Sequence, residues 1–441
     1  MTVRRVVLSA VLVSFISSVC IAGDQPSAPD PRVKAVLPQV EQLYLDLHQH
    51  PELSFQETAT SAKLADRMTK LGYEVATNVG KTGVVAVLRN GDGPTVMFRT
   101  DMDALPVEEK TGVPYASHVH EKDATGKEVP VMHACGHDIH MSAWIGTATI
   151  MAQTRQQWHG TLVMIAQPAE EIVGGARAML GAGLYTRFPK PDYALAVHDA
   201  SDAPVGTMYY TPGYALAGSD TVDITIFGKG GHGALPQTTV DPIVIAARTV
   251  LALQTIISRE VDPRDPAVIT VGQIHGGNKD NIISDQVHLG LTVRSFKPEV
   301  RKQLLSAIER ITKAEAEAAG APKPPTFAYP ETASPLYNDP QLAARVIGTL
   351  RHTFGDKNVV QAPPLMVSED FAQYAQDGVP IFMFHIGAVN PEKFREAKAN
   401  GTPLPSLHSP LFVPDYPGTL RVAITAEVAA LSDLLGKNTT K

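Results

Sequence analysis

One stretch of the chain concentrates ligand chemistry: His133-Ala134-Cys135-Gly136-His137-Asp138, with His140 just behind it. Thiolate and imidazole are the donors that borderline-soft divalent metals take, and Gly136 lets the backbone turn so that Cys135 and His137 point one way. A plain loop around an inert cysteine is the alternative, and residues elsewhere weigh against it. Glu171, His198 and His408 each fall where a further ligand is supplied. Cys135, His137, Glu171, His198 and His408 together exceed what one tetrahedral zinc uses, so two neighbouring divalent ions explain the set better. Zinc or manganese suits these donors, and cobalt or nickel takes the same ones. Glu170 and Glu171 are adjacent, and on extended backbone neighbours face opposite sides. Glu171 is therefore read as a ligand and Glu170 as the general base. Asp101 and Asp103, two apart, point the same way; one fits the task of orienting a ligand histidine, and a loop cap is the other reading of that spacing.

The chain around these residues is 441 long and 44% apolar, enough for two domains. Its net charge of -7 is spread without a block of one sign, which argues against nucleic acid and against a polybasic membrane surface. Arg4 and Arg5, the apolar run 6–19 and the small residues around Ala22-Gly23 read as a signal peptide over 1–23. That run is short for a membrane span, and no other stretch is read as one, so an exported periplasmic or secreted protein is expected. Once Cys20 leaves with the leader, Cys135 is the mature chain's single cysteine. A thiol without a disulfide partner in an oxidising compartment is better explained by metal ligation.

Strands and helices must deliver these groups to one place. Helical patterns cover 33–48 and 56–71, the second opened by a capping box over Ser54 to Glu57 and closed at Gly72. Apolar runs at 84–88, 95–99, 162–166 and 193–197 suit buried strands, and three of them end at Asp101, Glu170 and His198. Strands alternating with helices predict an α/β domain with a mostly parallel sheet flanked by helices, its site beyond the carboxyl ends of the strands. From 212 to 326 the pattern shifts to period two with two helices, which predicts an inserted two-layer α+β lid. The catalytic domain is thus discontinuous, 31–211 and 327–437. Its second part carries a helix at 340–354, a strand at 381–385, a polar loop at 389–404 and a last helix at 419–435.

Five ordered motifs resemble the metal-dependent amidohydrolase/carboxypeptidase family of aminoacylases, hippurate hydrolases and auxin-conjugate hydrolases. They are Arg99-Thr-Asp-Met-Asp-Ala-Leu-Pro106, His133-Ala-Cys-Gly-His-Asp138, Gln167-Pro-Ala-Glu-Glu171, Gly230-Gly-His-Gly233 and Leu407-His-Ser-Pro410. The resemblance runs from about 33 to the C-terminus and implies a two-metal hydrolase whose lid forms a homodimer interface. It implies the same ligands and base, and it alone gives His232, Asn281 and Arg294 their roles in binding substrate. Ser368-Glu369-Asp370-Phe371 matches a further segment that supports the site. Two departures, Ile172-Val173 after the paired glutamates and Asp199-Ala-Ser after His198, touch the pocket rather than the metal chemistry. The expected reaction is hydrolysis of N-acyl amino acids, small-molecule substrates, by a metal-activated water. A dipeptidase or carboxypeptidase using the same machinery is the nearest alternative, and a periplasmic metal- or peptide-binding protein without turnover is the other.

Overall fold

The computed structural model describes residues 30–436, so the expected leader lies outside the described residues. Helices α1 (Pro31–Gln49) and α2 (Thr58–Lys70) lead into strands β1 (Glu74–Val79), β2 (Gly83–Asn90) and β3 (Thr95–Asp101). Helix α3 (His137–Gln153) precedes β4 (Gly160–Gln167), β5 (Tyr193–Pro204) and β6 (Met208–Tyr210). The lid follows as β7 (Gly218–Phe227), α4 (Pro242–Thr255), β8 (Ala267–Gly276), β9 (Gln286–Ser295), α5 (Pro298–Ala318) and β10 (Thr326–Ala328). The chain then returns through α6 (Pro340–Phe354), β11 (Val359–Gln361), β12 (Ile381–Val389), α7 (Pro391–Asn400) and α8 (Tyr416–Leu435).

The main sheet has eight strands in the order β1-β2-β4-β3-β5-β12-β6-β11. Its centre, β4-β3-β5-β12, is parallel, as the alternation of strands and helices predicts. The β2 run, read as one more buried strand of that kind, pairs antiparallel with β4. An apolar run encodes burial, not direction. One face of the sheet is covered by α1, α3 and α8 through residues such as Val40, Leu43, Trp144, Ile424 and Leu431. The other face buries Met97, Val163, Ile165, Met179, Phe371 and Tyr374. Helix α3 is buried on every side from His137 to Met151, which suits a helix apolar all round. Its Gly146 allows that fit, because a Cβ there would stand 2.5 Å from Ile424 Cδ1.

The lid sheet runs β8-β9-β7-β10, with Thr332–Ala333 also pairing to β7. Its inward residues Val222, Ile224, Ile226, Leu289 and Leu291 alternate with polar ones and pack under α4 and α5. By length and composition Pro242–Glu260 could cross a membrane, where the sequence reading counts no such stretch. Here it lies on the lid sheet through Ile245, Ala246, Thr249 and Leu253, and turns Ile243, Val244 and Leu251 outward.

Two elements differ from their sequence readings near the site. The polar stretch 389–404 contains α7, a helix capped by the Asn390 side chain and burying no residue, so it shows no amphipathic signal. The capping box does not form either. Glu57 is the N-cap of α2 without a side-chain cap, and the Ser54 hydroxyl instead donates to Asp103 at 2.6 Å.

Candidate metal centre

Strands β3, β4 and β5 lie side by side and parallel, and their carboxyl ends bring the acids and histidines together. Pairing of β3 with β5 stops at Arg99 and Ala196, while β5 stays paired with β12 as far as Pro204. His198 therefore sits within a long strand rather than at its end, on the stretch whose edge β3 has left free. Between β3 and α3, Gly136 has φ of +75° and its missing Cβ leaves room for Asp199, whose carboxylate would be 2.4 Å away. Cys135 and His137 flank this turn. His408 arrives from the far end of the chain, its backbone N–H donating to the Ala134 carbonyl at 2.8 Å.

The donors cluster tightly. Cys135 Sγ lies 3.6 Å from His198 Nε2 and 3.3 Å from His408 Nε2. Glu171 reaches His408 Nε2 at 3.5 Å and His137 Nε2 at 3.9 Å. Two triads stand out, Cys135-His137-His198 and Cys135-Glu171-His408, with ligand atoms in each within 4.8 Å of one another. Cys135 belongs to both. His137 Nε2 and Glu171 Oε1 are buried and have no hydrogen-bond partner, a costly state for polar atoms. Spacings of this size are the edges of a coordination shell with bonds of about 2.0–2.3 Å. Residues, orphaned atoms and spacings all fit divalent metal.

The electrostatics point the same way. Burial pushes the Cys135 thiol well up, with Glu171 adding to it, so a thiolate here calls for a cation. Burial likewise raises Glu171 to about 7. Burial opposes charge on His137, yet Asp101, Asp103 and Cys135 around it raise its pKa well above the usual value. Glu170 stands beside His137 and Glu171, buried, and among the described residues no side chain donates a hydrogen bond to its carboxyl. Burial first, then Glu369, Glu171 and Asp370, push it well above the carboxylate range.

Asp103 orients His137 through its backbone carbonyl, 2.7 Å from Nδ1. Its carboxylate holds the glutamate turn instead, accepting from the N–H groups of Glu170 at 2.9 Å and Glu171 at 3.0 Å. Asp101 binds His140 Nδ1 at 2.7 Å and the buried Arg99 at 2.5 Å. Arg99 continues to Glu369 at 2.9 Å and to Gln167 at 3.0 Å. Adjoining Glu369, Ser368 accepts from Arg294 at 2.5 Å, which ties the lid to this network. His232 and Asn281 lie together on a small lid ribbon, where Gly233 N–H donates to the Asn281 carbonyl. Among the described residues no hydrogen bond or ion pair joins either side chain to the Cys135 cluster.

Sequence reasoning gave His140 no role, read Glu57 only as part of a capping box, and read Asp199 only as a departure at the pocket. His140 contacts Asp199 at 3.2 Å, and its place one turn after His137 on α3 was the available signal. His48 is buried against Asp138 at 2.6 Å and Glu109 at 3.2 Å; burial opposes its charge, yet these acids raise its pKa to about 9.

Comparison with known proteins gives the same answer. Residues 97–401 match the model of peptidase family M20/M25/M40. The hippurate hydrolase of Campylobacter jejuni is 35% identical over 349 residues, 78% of this chain and 87% of that one. The thermostable carboxypeptidase 2 of Saccharolobus solfataricus is 36% identical over 368 residues, 82% of this chain and 88% of that one. The crystal structure of Bacillus subtilis YxeP, described as a dinuclear metal-binding peptidase of the M20 family, aligns with a TM-score of 0.73 at 30% identity, over 90% of this chain and 98% of that one. The chain belongs to peptidase family M20/M25/M40 and is a metal-dependent hydrolase of amide bonds.

Proposed function

We propose that the protein cleaves the amide bond of N-acyl amino acids or similar small conjugates, releasing a carboxylic acid and an amino acid. The observation that carries this reading is the pair of donor triads sharing Cys135 beside Glu170, a buried carboxyl that neither triad needs. Cys135, His137 and His198 would hold one divalent ion, and Cys135, Glu171 and His408 the other. Such ions, when bound, acidify water and polarise a carbonyl. Glu170 accepts the proton of the attacking water and returns it to the departing amine, a task suited to a carboxyl whose pKa burial raises well above the usual carboxylate range. Arg294 is half-buried with a serine hydroxyl as its hydrogen-bond partner, which leaves its charge for the substrate carboxylate. His232 faces the acyl carbonyl from a second subunit of a lid-mediated homodimer, and Asn281 helps bind the substrate. Exposed Ile243, Val244, Leu251 and Ile274 on the lid support that assembly. The basic, apolar and small-residue order of residues 1–23 supports export.

A dipeptidase or carboxypeptidase reading is favoured by one observation, the likeness to thermostable carboxypeptidase 2. The two are separated by assaying amino-acid release from N-acetyl, N-benzoyl and long-chain N-acyl amino acids and from dipeptides. The protein is stripped with chelator and then given zinc or manganese. Metal-restored release from acyl amino acids is the expected result. Preference for dipeptides transfers the assignment to peptidase, and no turnover with metal bound refutes both.

A further inference from the structure

Two neighbouring glutamates can serve different partners only if the backbone between strand β4 and residue 171 is held in one shape. That shape is unusual. Ala169 has φ of 49° and Val173 of 54°, a left-handed conformation that residues with a Cβ rarely adopt. The turn is closed on its far side by Gly174 and Gly175, whose N–H groups donate to the Ala169 carbonyl at 3.1 and 3.0 Å. On its near side three successive N–H groups, of residues 169, 170 and 171, all end on side-chain carboxylates.

Asp103 takes the second and third. The first goes to Glu57, a residue from another part of the chain. Glu57 Oε1 accepts from Ala169 N–H at 2.9 Å and from Phe55 N–H at 2.9 Å, while Oε2 accepts from the Thr82 hydroxyl at 2.5 Å. Both amides on Oε1 belong to left-handed residues, since Phe55 has φ of 62°. Glu57 is fully buried, and Asp103 lies close enough to repel it. Two acids buried side by side are costly unless N–H and O–H donors satisfy them, and here each carboxylate receives three. Strain of this kind persists where the surroundings over-determine it, and such places cluster at working sites.

We propose that Glu57 is a positioning residue for Glu170: with Asp103 it forms a two-carboxylate cradle that fixes the 169–171 backbone and so aims Glu170. It touches neither substrate nor metal. The cradle also divides labour. Asp103 and the ligand contacts of Glu171 anchor the metal side of the turn, whereas Glu57 holds the entry from β4 through the Ala169 N–H. Loss of Glu57 should therefore disturb Glu170 more than it disturbs metal binding.

This inference rests on Glu170 being the base, and its test separates the two ideas. Glu57→Ala, Glu57→Asp and Glu57→Gln are compared with wild type by hydrogen exchange over 168–174, bound zinc, thermal midpoint, kcat and KM. Glutamine keeps an acceptor oxygen for both amides and a donor toward Thr82; aspartate keeps the charge but draws it back from Ala169. Alanine and aspartate are expected to speed exchange over 168–174 by about tenfold or more without a matching rise elsewhere. They should lower kcat by about 10- to 100-fold with KM within about twofold, since small misplacements of a reacting group cost that much. Zinc content should stay unchanged and glutamine should restore both readouts. Should alanine fail to fold, aspartate carries the comparison. Unchanged exchange over 168–174, or glutamine as defective as alanine, overturns the cradle. Faster exchange with an unaltered kcat overturns the positioning role. If wild type hydrolyses nothing offered, the functional reading fails, while exchange still decides whether Glu57 holds the turn.

Discussion

Glu427 on α8 is buried between helices behind the metal centre and accepts one hydrogen bond, from the Thr147 hydroxyl of α3 at 2.7 Å. Burial raises its pKa to about 8, opposed by Thr147 and by nearby His140. In the unfolded chain the same carboxyl titrates near about 4.3. Because the folded value is the higher one, the neutral acid favours the fold. Stability from this group is complete below about pH 4.3 and is lost as pH rises through that value toward about 8. At about 1.4 kcal/mol per pH unit, a gap of between three and four units sets a ceiling of about 5 kcal/mol lost by pH 8. Glu427→Gln mimics the neutral acid and cannot ionise. Urea unfolding of metal-free wild type and variant at pH 5 and at pH 8 reads the difference. The variant should be within about 1 kcal/mol of wild type at pH 5 and more stable than it by several kcal/mol at pH 8, the amide keeping an acceptor for Thr147. Equal stability of the two proteins at pH 8 would refute the reasoning, because it would mean Glu427 ionises in the fold without cost.

Three further outcomes follow from the site. Glu170→Gln should keep its zinc, measured by elemental analysis, and lose about 10²- to 10⁴-fold in kcat; retained turnover would remove Glu170 from the base role. Arg294→Ala should raise KM by about 10- to 100-fold with little change in kcat, as expected when a charge-assisted bond made equally in ground and transition states is lost; a fall confined to kcat would contradict it. Arg99→Met leaves Asp101 and Glu369 buried without their cation, and should cost about 3–5 kcal/mol in a denaturant titration. No loss there would overturn the assignment of Arg99 as the counter-ion of these acids.

Much of the site was legible because its signals are local. Cys135-Gly136-His137 is three consecutive residues, the paired glutamates directly follow an apolar run, and period-two alternation marks the lid strands wherever it occurs. Such patterns reflect which side chains can ligate and which faces must be buried, and both are properties of short stretches. Helix α7 was missed for the converse reason: a helix that buries nothing writes no periodicity.

Short stretches of the chain carry which residues can bind metal, which acid can carry a proton, and the expectation of a mostly parallel sheet with an inserted lid. Which group partners which was left to the folded chain. It placed Cys135 in both donor triads, set Arg99 against Glu369 across 270 positions, and joined Glu57 to Ala169 across 112. The orientation of β2 and the long run of β5 beyond His198 were decided there too. The physical reason is common to all of these. A buried carboxylate or thiol takes whichever donors, cations or neighbours the folded chain brings within about 3 Å of it, and no short stretch of sequence records that choice.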